Sequence, residues 1–366
     1  MTKKFQIFFD VLPGLLLALV LMLLSLFLSN VFGHYIPKGK NPFSTILIAI
    51  ILGMALRNTV KIPSLLDPGI KFGIKKLLRI GIVLMGIRLS VMDALKIGST
   101  ALLLVVVCIT SAILITVFLA KKIKISQKLG ALIAAGTSIC GISAIVATAP
   151  VIEADEEEIS YSIGIITIMG LTATIFYPYI IELLFHFNVL QAGFFIGTAV
   201  HDTSQVTAAA FAYDQIWAHP LMNGLSSADV AITTKLVRNT FMIAVVPILG
   251  LYFRRKEGKT GAGSKLKVRD VIPFFVFGYL IFGVLRTAGD FALGTQNQVW
   301  AGICNNTKDL ATHIITTAIA CIGLSTDIKK ITKLGIKPFI AGTTAALVVA
   351  GISFSLISVF GGYLTP

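Results

Sequence analysis

Two short stretches hold most of the residues that could do chemistry in this chain. One is GTSICGISAIVATA, residues 136–149; the other is GTAVHDTSQVTAAA, residues 197–210. Laid over each other, they share Gly, Thr, Ser and two Ala at the same places. Thr137, Ser138, Cys140, Gly141 and Ser143 interrupt the first apolar run; Thr198, His201, Asp202, Thr203, Ser204 and Gln205 interrupt the second. A continuous helix in lipid needs no such residues at mid-depth. A broken helix does, because its freed N–H and C=O groups must line a cavity or a ligand. The chemistry on offer is therefore binding. A half-helix starting near Gly141 or Thr203 would aim free N–H groups and a positive dipole end at a ligand. Ser143, Thr203 and Ser204 would add hydroxyls. Small residues also permit close helix packing, which would account for the first stretch. It does not account for His201-Asp202, because ionisable groups at depth are costly and mark functional sites. Asp202 is either the N-cap of the second half-helix or a group coupled to transport. His201 titrates near neutrality when unperturbed, and is either a proton acceptor or a packed, hydrogen-bonded histidine.

A third stretch, ADVAITTKLVRNTFMIAVVPILGLYF, carries Lys235 and Arg238. Three residues apart, they share one helix face. Arg238 lies about 13 Å in from the outer end of its span at a rise of about 1.5 Å per residue. A cation at such depth costs roughly 2.5–3.5 kcal/mol on an insertion scale. Lys235 could snorkel to the surface; Arg238 is too deep. Its complement is either an internal carboxylate, Asp202 or Asp229, or an anionic ligand whose paired oxygens suit the guanidinium fork.

Other chemistry fits less well. Cys140, His201 and Asp202 have the residue types of a thiol-based triad, so an intramembrane thiol enzyme is the competing reading, as is a non-transporting sensor or channel. Cys108, Cys140, Cys304 and Cys321 have no metal-type spacing. HExxH and GxxxxGK[ST] are both missing from the sequence, so neither a zinc hydrolase nor ATP-driven transport is indicated. No cofactor and no metal is expected.

The elements that position these residues must be membrane helices. The chain is 56% hydrophobic and 13% charged over 366 residues, with a mean hydropathy of +0.90. A soluble domain carries about a quarter charged residues. Eleven apolar stretches are candidate spans: roughly 11–32, 44–57, 77–91, 98–120, 129–152, 160–184, 190–212, 229–253, 271–288, 307–325 and 338–361. The first follows Lys3 and Lys4, is too long for a signal-peptide core and lacks a small-residue cleavage site, so it is expected to be retained. The net charge of +14 sorts by loop and does not point to nucleic acid. Lys61, Lys71, Lys75, Lys76, Lys121, Lys122, Lys124, Lys128, the basic run from Arg254 to Arg269, and Lys329 to Lys337 fall on one side. Glu153 to Glu158 fall on the other. The bias puts the N-terminus in the cytoplasm and the C-terminus outside. Residues of about 254–270, containing RRKEGKTGAGSKLKVR, read as a cytoplasmic linker within a single transmembrane domain covering 1–366.

Gly86-Ile87 with Lys96-Ile97-Gly98 has the same spacing as Gly323-Leu324 with Lys333-Leu334-Gly335. The copies are an odd number of spans apart, so they point in opposite directions, as in an inverted repeat. The two GT-rich segments lie in spans five and seven, parallel by counting, whereas an inverted pair would be antiparallel. One of them is re-entrant, or their likeness is convergent.

GTSICGISAIVATAPVIEA, GTAVHDTSQVTAAA and the KLVR of residues 235–238 together resemble the sulfate exporter family of bacterial inner-membrane proteins. LLRIGIVLMGIRLS near Leu77 and ACIGLSTD near Ala320 extend the resemblance over most of the chain. That family is similar to cation–proton antiporters and bile-acid-type sodium symporters. The resemblance implies inverted five-helix repeats with crossing, unwound helices. The expectation is an all-α polytopic membrane protein of about eleven transmembrane helices, a secondary-active transporter of a small anion, in the inner or plasma membrane. Thr137, Ser138, Cys140, Gly141, Ser143, Thr203, Ser204, Gln205, Lys235 and Arg238 would bind substrate; His201 and Asp202 would take a coupling proton or cation. Membrane lipid is the expected surrounding, and a homodimer is left open.

Overall fold

The structure, a computed structural model, describes residues 3–35, 43–222, 224–256, 273–327 and 336–361. Fifteen α-helices account for most of them. They are α1 (Lys3–Tyr35), α2 (Thr45–Thr59), α3 (Asp67–Phe72), α4 (Leu78–Met85), α5 (Val91–Lys122), α6 (Gln127–Ser138), α7 (Ile142–Thr148) and α8 (Glu156–Ile180). Then follow α9 (Val189–Ala199), α10 (Thr203–Trp217), α11 (Ser227–Thr240), α12 (Met242–Lys256), α13 (Phe275–Leu293), α14 (Gln298–Ser325) and α15 (Ile336–Phe360). Among the described residues the extended pairing is a single bridge, Met222 with Leu225.

The all-α, membrane-embedded reading holds. Among the described residues, six helical stretches are long and apolar enough to cross a membrane: Phe9–His34, Val91–Lys122, Glu156–Phe185, Ser227–Phe253, Phe275–Leu293 and Ile336–Phe360. Helix covers most of each of the eleven apolar stretches, but the others are shorter or interrupted. The outward faces are apolar too. On α5, Leu103, Leu114 and Phe118 are each more than 60% exposed, a surface suited to lipid rather than water. The linker residues 257–270, the lysines at 38, 40, 329, 330 and 333, the second copy of the inverted match at 333–335, and Pro366 lie outside the described residues.

The chain packs as two compact units that interleave in sequence. The first comprises Met1–Ala94, Ala210–Leu221 and Phe275–Lys330. Its core joins α1, α2, α3 and α14 through Ala18, Leu21, Ala49, Ile70, Cys321 and Leu324. Helices α2 and α14 touch backbone to backbone. A Cβ on Gly323 would sit 2.3 Å from the Ile50 carbonyl oxygen, and one on Gly53 2.7 Å from that of Ala320. Close approach of this kind is how helices associate where burial of apolar surface offers little drive.

The second unit comprises Leu95–Ala209, Met222–Phe274 and Ile331–Pro366. Leu132, Ala135, Ile139, Ile145, Ile166 and Val246 form the centre of its core. Helix starts are written into its loops. Asp155 with Glu158, Asn188 with Gln191, and Ser226 with Asp229 each close a reciprocal capping box at the head of α8, α9 and α11, satisfying N–H groups that would otherwise be orphaned.

Candidate functional site

Both GT-rich segments break where their composition predicts. The first is helical to Ser138, departs at Ile139 (φ −119°, ψ −91°) and resumes at Ile142. The hinge is Gly141, at φ +64°, a backbone state that glycine alone adopts cheaply. The second is helical to Ala199, extended at Val200 (φ −83°, ψ 141°), and resumes at Thr203. The breaks meet: a Cβ built on Gly141 would lie 3.0 Å from the Cβ and Oδ2 of Asp202. Glycine is thus needed at 141 twice, for its dihedral and for this approach.

Each break leaves carbonyls without intrahelical partners at the negative end of a half-helix. Lys235 and Arg238 supply them with donors. The Lys235 Nζ donates to the carbonyls of Ile139 (2.8 Å), Val200 (3.1 Å) and His201. Arg238 donates from Nε to Ser138 O (2.6 Å), from Nη1 to Thr198 O (2.7 Å) and Val200 O (3.0 Å), and from Nη2 to Thr137 O. Both side chains are fully buried. All three ammonium protons and four of the five guanidinium N–H groups therefore face backbone oxygens. This differs from the expected complement. Among the described residues neither cation is ion-paired to Asp202 or Asp229, and the guanidinium fork is filled by carbonyls rather than open to a ligand. Asp229 Oδ2 accepts from the N–H and hydroxyl of Ser226 in the cap of α11.

The cations reach the second break because α9 lies hard against α11. A Cβ on Gly197 would meet the Cβ of Thr234 at 2.7 Å and the carbonyl oxygen of Ala231 at 2.8 Å. Small residues in this segment serve packing and site building together.

Asp202 caps α10. Its Oδ1 accepts from the backbone N–H (2.9 Å) and the hydroxyl (2.5 Å) of Ser204. Gln205 ties the break to α8, with Oε1 accepting from Asp202 N–H at 3.2 Å and Nε2 donating to Thr167 O at 3.3 Å. Thr137 and Ser138 contribute carbonyls to the cations, while their hydroxyls bond back into α6. Cys140 is buried with its Sγ 3.7 Å from Met242 Sδ. His201 is buried, and its Nδ1 finds no hydrogen-bond partner among the described residues. The three members of the thiol-triad reading all lie at the crossing, and among the described residues no hydrogen bond links them. Asp202 and Thr203 are partly exposed and Ser143 is exposed; these are the polar side chains of the two breaks that face outward.

Two residues of the site had no part in the sequence argument. Asn239 Nδ2 donates to Thr203 Oγ1 at 3.1 Å, and Ser353 on α15 shares a 2.6 Å hydroxyl contact with Thr198. Asn239 follows Arg238 directly, and a polar residue beside a deep cation was its available signal. Ser353 is one of several hydroxyl residues in an otherwise apolar helix, with Ser355 and Ser358 close by, and nothing in the sequence singles it out.

Residues 13–342 match a family model described as conserved hypothetical protein 698. Among similar curated proteins, the UPF0324 membrane protein of Bacillus anthracis is 33% identical over 322 residues, 88% of each chain. A UPF0324 membrane protein of Fusobacterium nucleatum is 32% identical over 337 residues, covering 90% of this chain and 93% of its own length. One from Streptococcus mutans is 32% identical over 368 aligned positions and 99% of both chains.

Proposed function

We propose, for a chain that belongs to the conserved hypothetical protein 698 family of membrane proteins, the function of a secondary-active transporter of a small anion. Sulfate, a related oxyanion or an organic acid is the proposed cargo, and export the proposed direction. The observation that carries this reading is the pair of facing helix breaks held by Lys235 and Arg238. Carbonyl dipoles solvate these cations without neutralising them. Two cations against the single carboxylate of Asp202 leave one positive charge at the crossing. A ligand with a negative charge is its natural complement. The cations supply field rather than contact, since their donors are taken. Ser143 and Thr203, the hydroxyls on the open faces, are the proposed contacts, and Asp202 the proposed coupling group.

The test is counterflow. Vesicles reconstituted with the protein and loaded with unlabelled sulfate should draw in labelled sulfate above protein-free vesicles, and a panel of small oxyanions and carboxylates should rank the cargo. A panel without any counterflow would sink the anion reading and leave the enzyme and sensor alternatives.

The proposed topology keeps the N-terminus in the cytoplasm and the C-terminus outside, as basic residues accumulate on the cytoplasmic side. The expected eleven full crossings are not kept, because Lys128 Nζ donates to Glu153 O at 2.9 Å and Ser126 bonds Glu158, so residues 129–152 enter and return on one side. A reporter fused after Pro366 should be active only outside the cytoplasm; activity confined to the cytoplasm contradicts this arrangement.

A further inference from the structure

Helix α12 presents one face to a trough beside α5. A cavity of about 280 Å³ is lined by Ile109, Ile113 and Leu114 of α5, by Val245 and Ile248 of α12 and by Phe241 just ahead of it, with Ala244 on its wall. A second cavity, of about 650 Å³, is lined among the described residues by Ile248, Leu251, Tyr252 and Arg255. Ile248 belongs to both. The α12 residues recur every three or four positions, so the two cavities form one track along a single helix face. The track is apolar for most of its length and ends in a phenol and a guanidinium.

The two helices run the same way. Gly98 near the start of α5 lies beside Val237, just ahead of α12, with a built Cβ 3.7 Å from Val237 Cγ2. Further along, residues 109–114 and 241–248 line the same groove. Both helices therefore end on one membrane side, α5 with Lys121 and Lys122 and α12 with Arg255. Tyr252 and Arg255 are both exposed. An aromatic with a polar tip and a cation at the end of an apolar track are the groups that settle at headgroup depth.

We propose that this trough is a binding site for one anionic phospholipid. An acyl chain lies along Ile109, Ile113 and Ile248, and the phosphate sits at Arg255 beside Tyr252. Charge complementarity selects this occupant over a second copy of the chain, because a twofold contact through this face would bring Arg255 towards its own like charge. The proposal does not depend on what the protein transports, and its test needs no transport.

The whole protein is exchanged in detergent into equal amounts of phosphatidylglycerol and phosphatidylcholine, and retained lipid is counted by native mass spectrometry. Phosphatidylglycerol should be retained in preference. Arg255→Gln should lower that preference by about fivefold, the factor carried by one basic side chain near an anionic surface. Ala244→Trp, which fills the apolar end, should reduce retention of both lipids and leave the chain monodisperse. Equal retention of the two lipids by the unaltered protein would overturn the proposal. So would an unchanged preference in Arg255→Gln, or a dimer that Ala244→Trp splits into monomers.

Discussion

Arg238→Ala is expected to unfold the crossing. The side chain is fully buried and closes four backbone carbonyls, two at the end of α6 and two at the end of α9. Its removal takes the guanidinium donor from the buried carbonyls of Thr137, Ser138 and Thr198, while that of Val200 keeps its bond from Lys235. One buried acceptor left unpaired costs about 1–3 kcal/mol, and breaking a buried charged array by deleting one partner costs roughly 3–5 kcal/mol. At about 2–4 °C per kcal/mol for a large domain, the thermal midpoint in detergent should fall by about 10 °C or more. Arg238→Lys should recover part of this. It keeps the charge, but three ammonium donors cannot span the four carbonyls that the planar fork reaches. The double change Arg238→Ala with Asp202→Asn separates this account from an ion pair. Asp202 bonds Ser204 rather than Arg238, so neutralising it should restore nothing. Recovery of stability in the double mutant would mean that the two charges balance each other directly and that the carbonyl array is secondary.

The breaks were legible in the sequence because composition marks them. Gly141 and the run from His201 to Gln205 are residues that an uninterrupted apolar helix excludes, and the structure restarts helices at Ile142 and Thr203. The capping role of Asp202 was legible for a similar reason, since a carboxylate one residue ahead of a helix start has a short list of local uses. What Lys235 and Arg238 hold was not. Every residue carries a carbonyl, so the sequence gives no hint which ones a fold will strip of partners. A carboxylate and an anionic ligand are the complements to Arg238 that a sequence makes visible; backbone carbonyls are not. Ser353 escaped for the matching reason. Its contact with Thr198 spans 155 residues, and only tertiary packing brings the two together. The two interleaved units were also beyond reach, since no composition shift marks Ala94 or Ala210.

Asp202→Asn is expected to leave the protein folded and to uncouple it. Asparagine is nearly isosteric, and its Oδ1 can still accept from Ser204 N–H, so the cap on α10 survives at little cost, as Asn and Asp are comparable N-caps. The charge does not survive. On the proposed mechanism, Asp202 is the partly exposed carboxylate of the crossing, held opposite the charged groups Lys235 and Arg238 with His201 adjacent. On that mechanism it carries the coupling charge as the anion moves. Asparagine is locked in the neutral form. Labelled anion should still exchange across vesicles in counterflow, because that measurement needs no net proton movement. Accumulation driven by a pH gradient should fall by at least about tenfold, equivalent to roughly 1.4 kcal/mol of lost driving interaction. His201→Gln is the companion measurement. Histidine titrates between about pH 5 and 8 when unperturbed, so a histidine-coupled cycle would lose its pH response in that variant. The buried position of His201 and the open position of Asp202 lead us to expect an unchanged profile in His201→Gln and a flat one in Asp202→Asn. The reverse pattern would move the coupling proton to His201 and leave Asp202 as a helix cap alone.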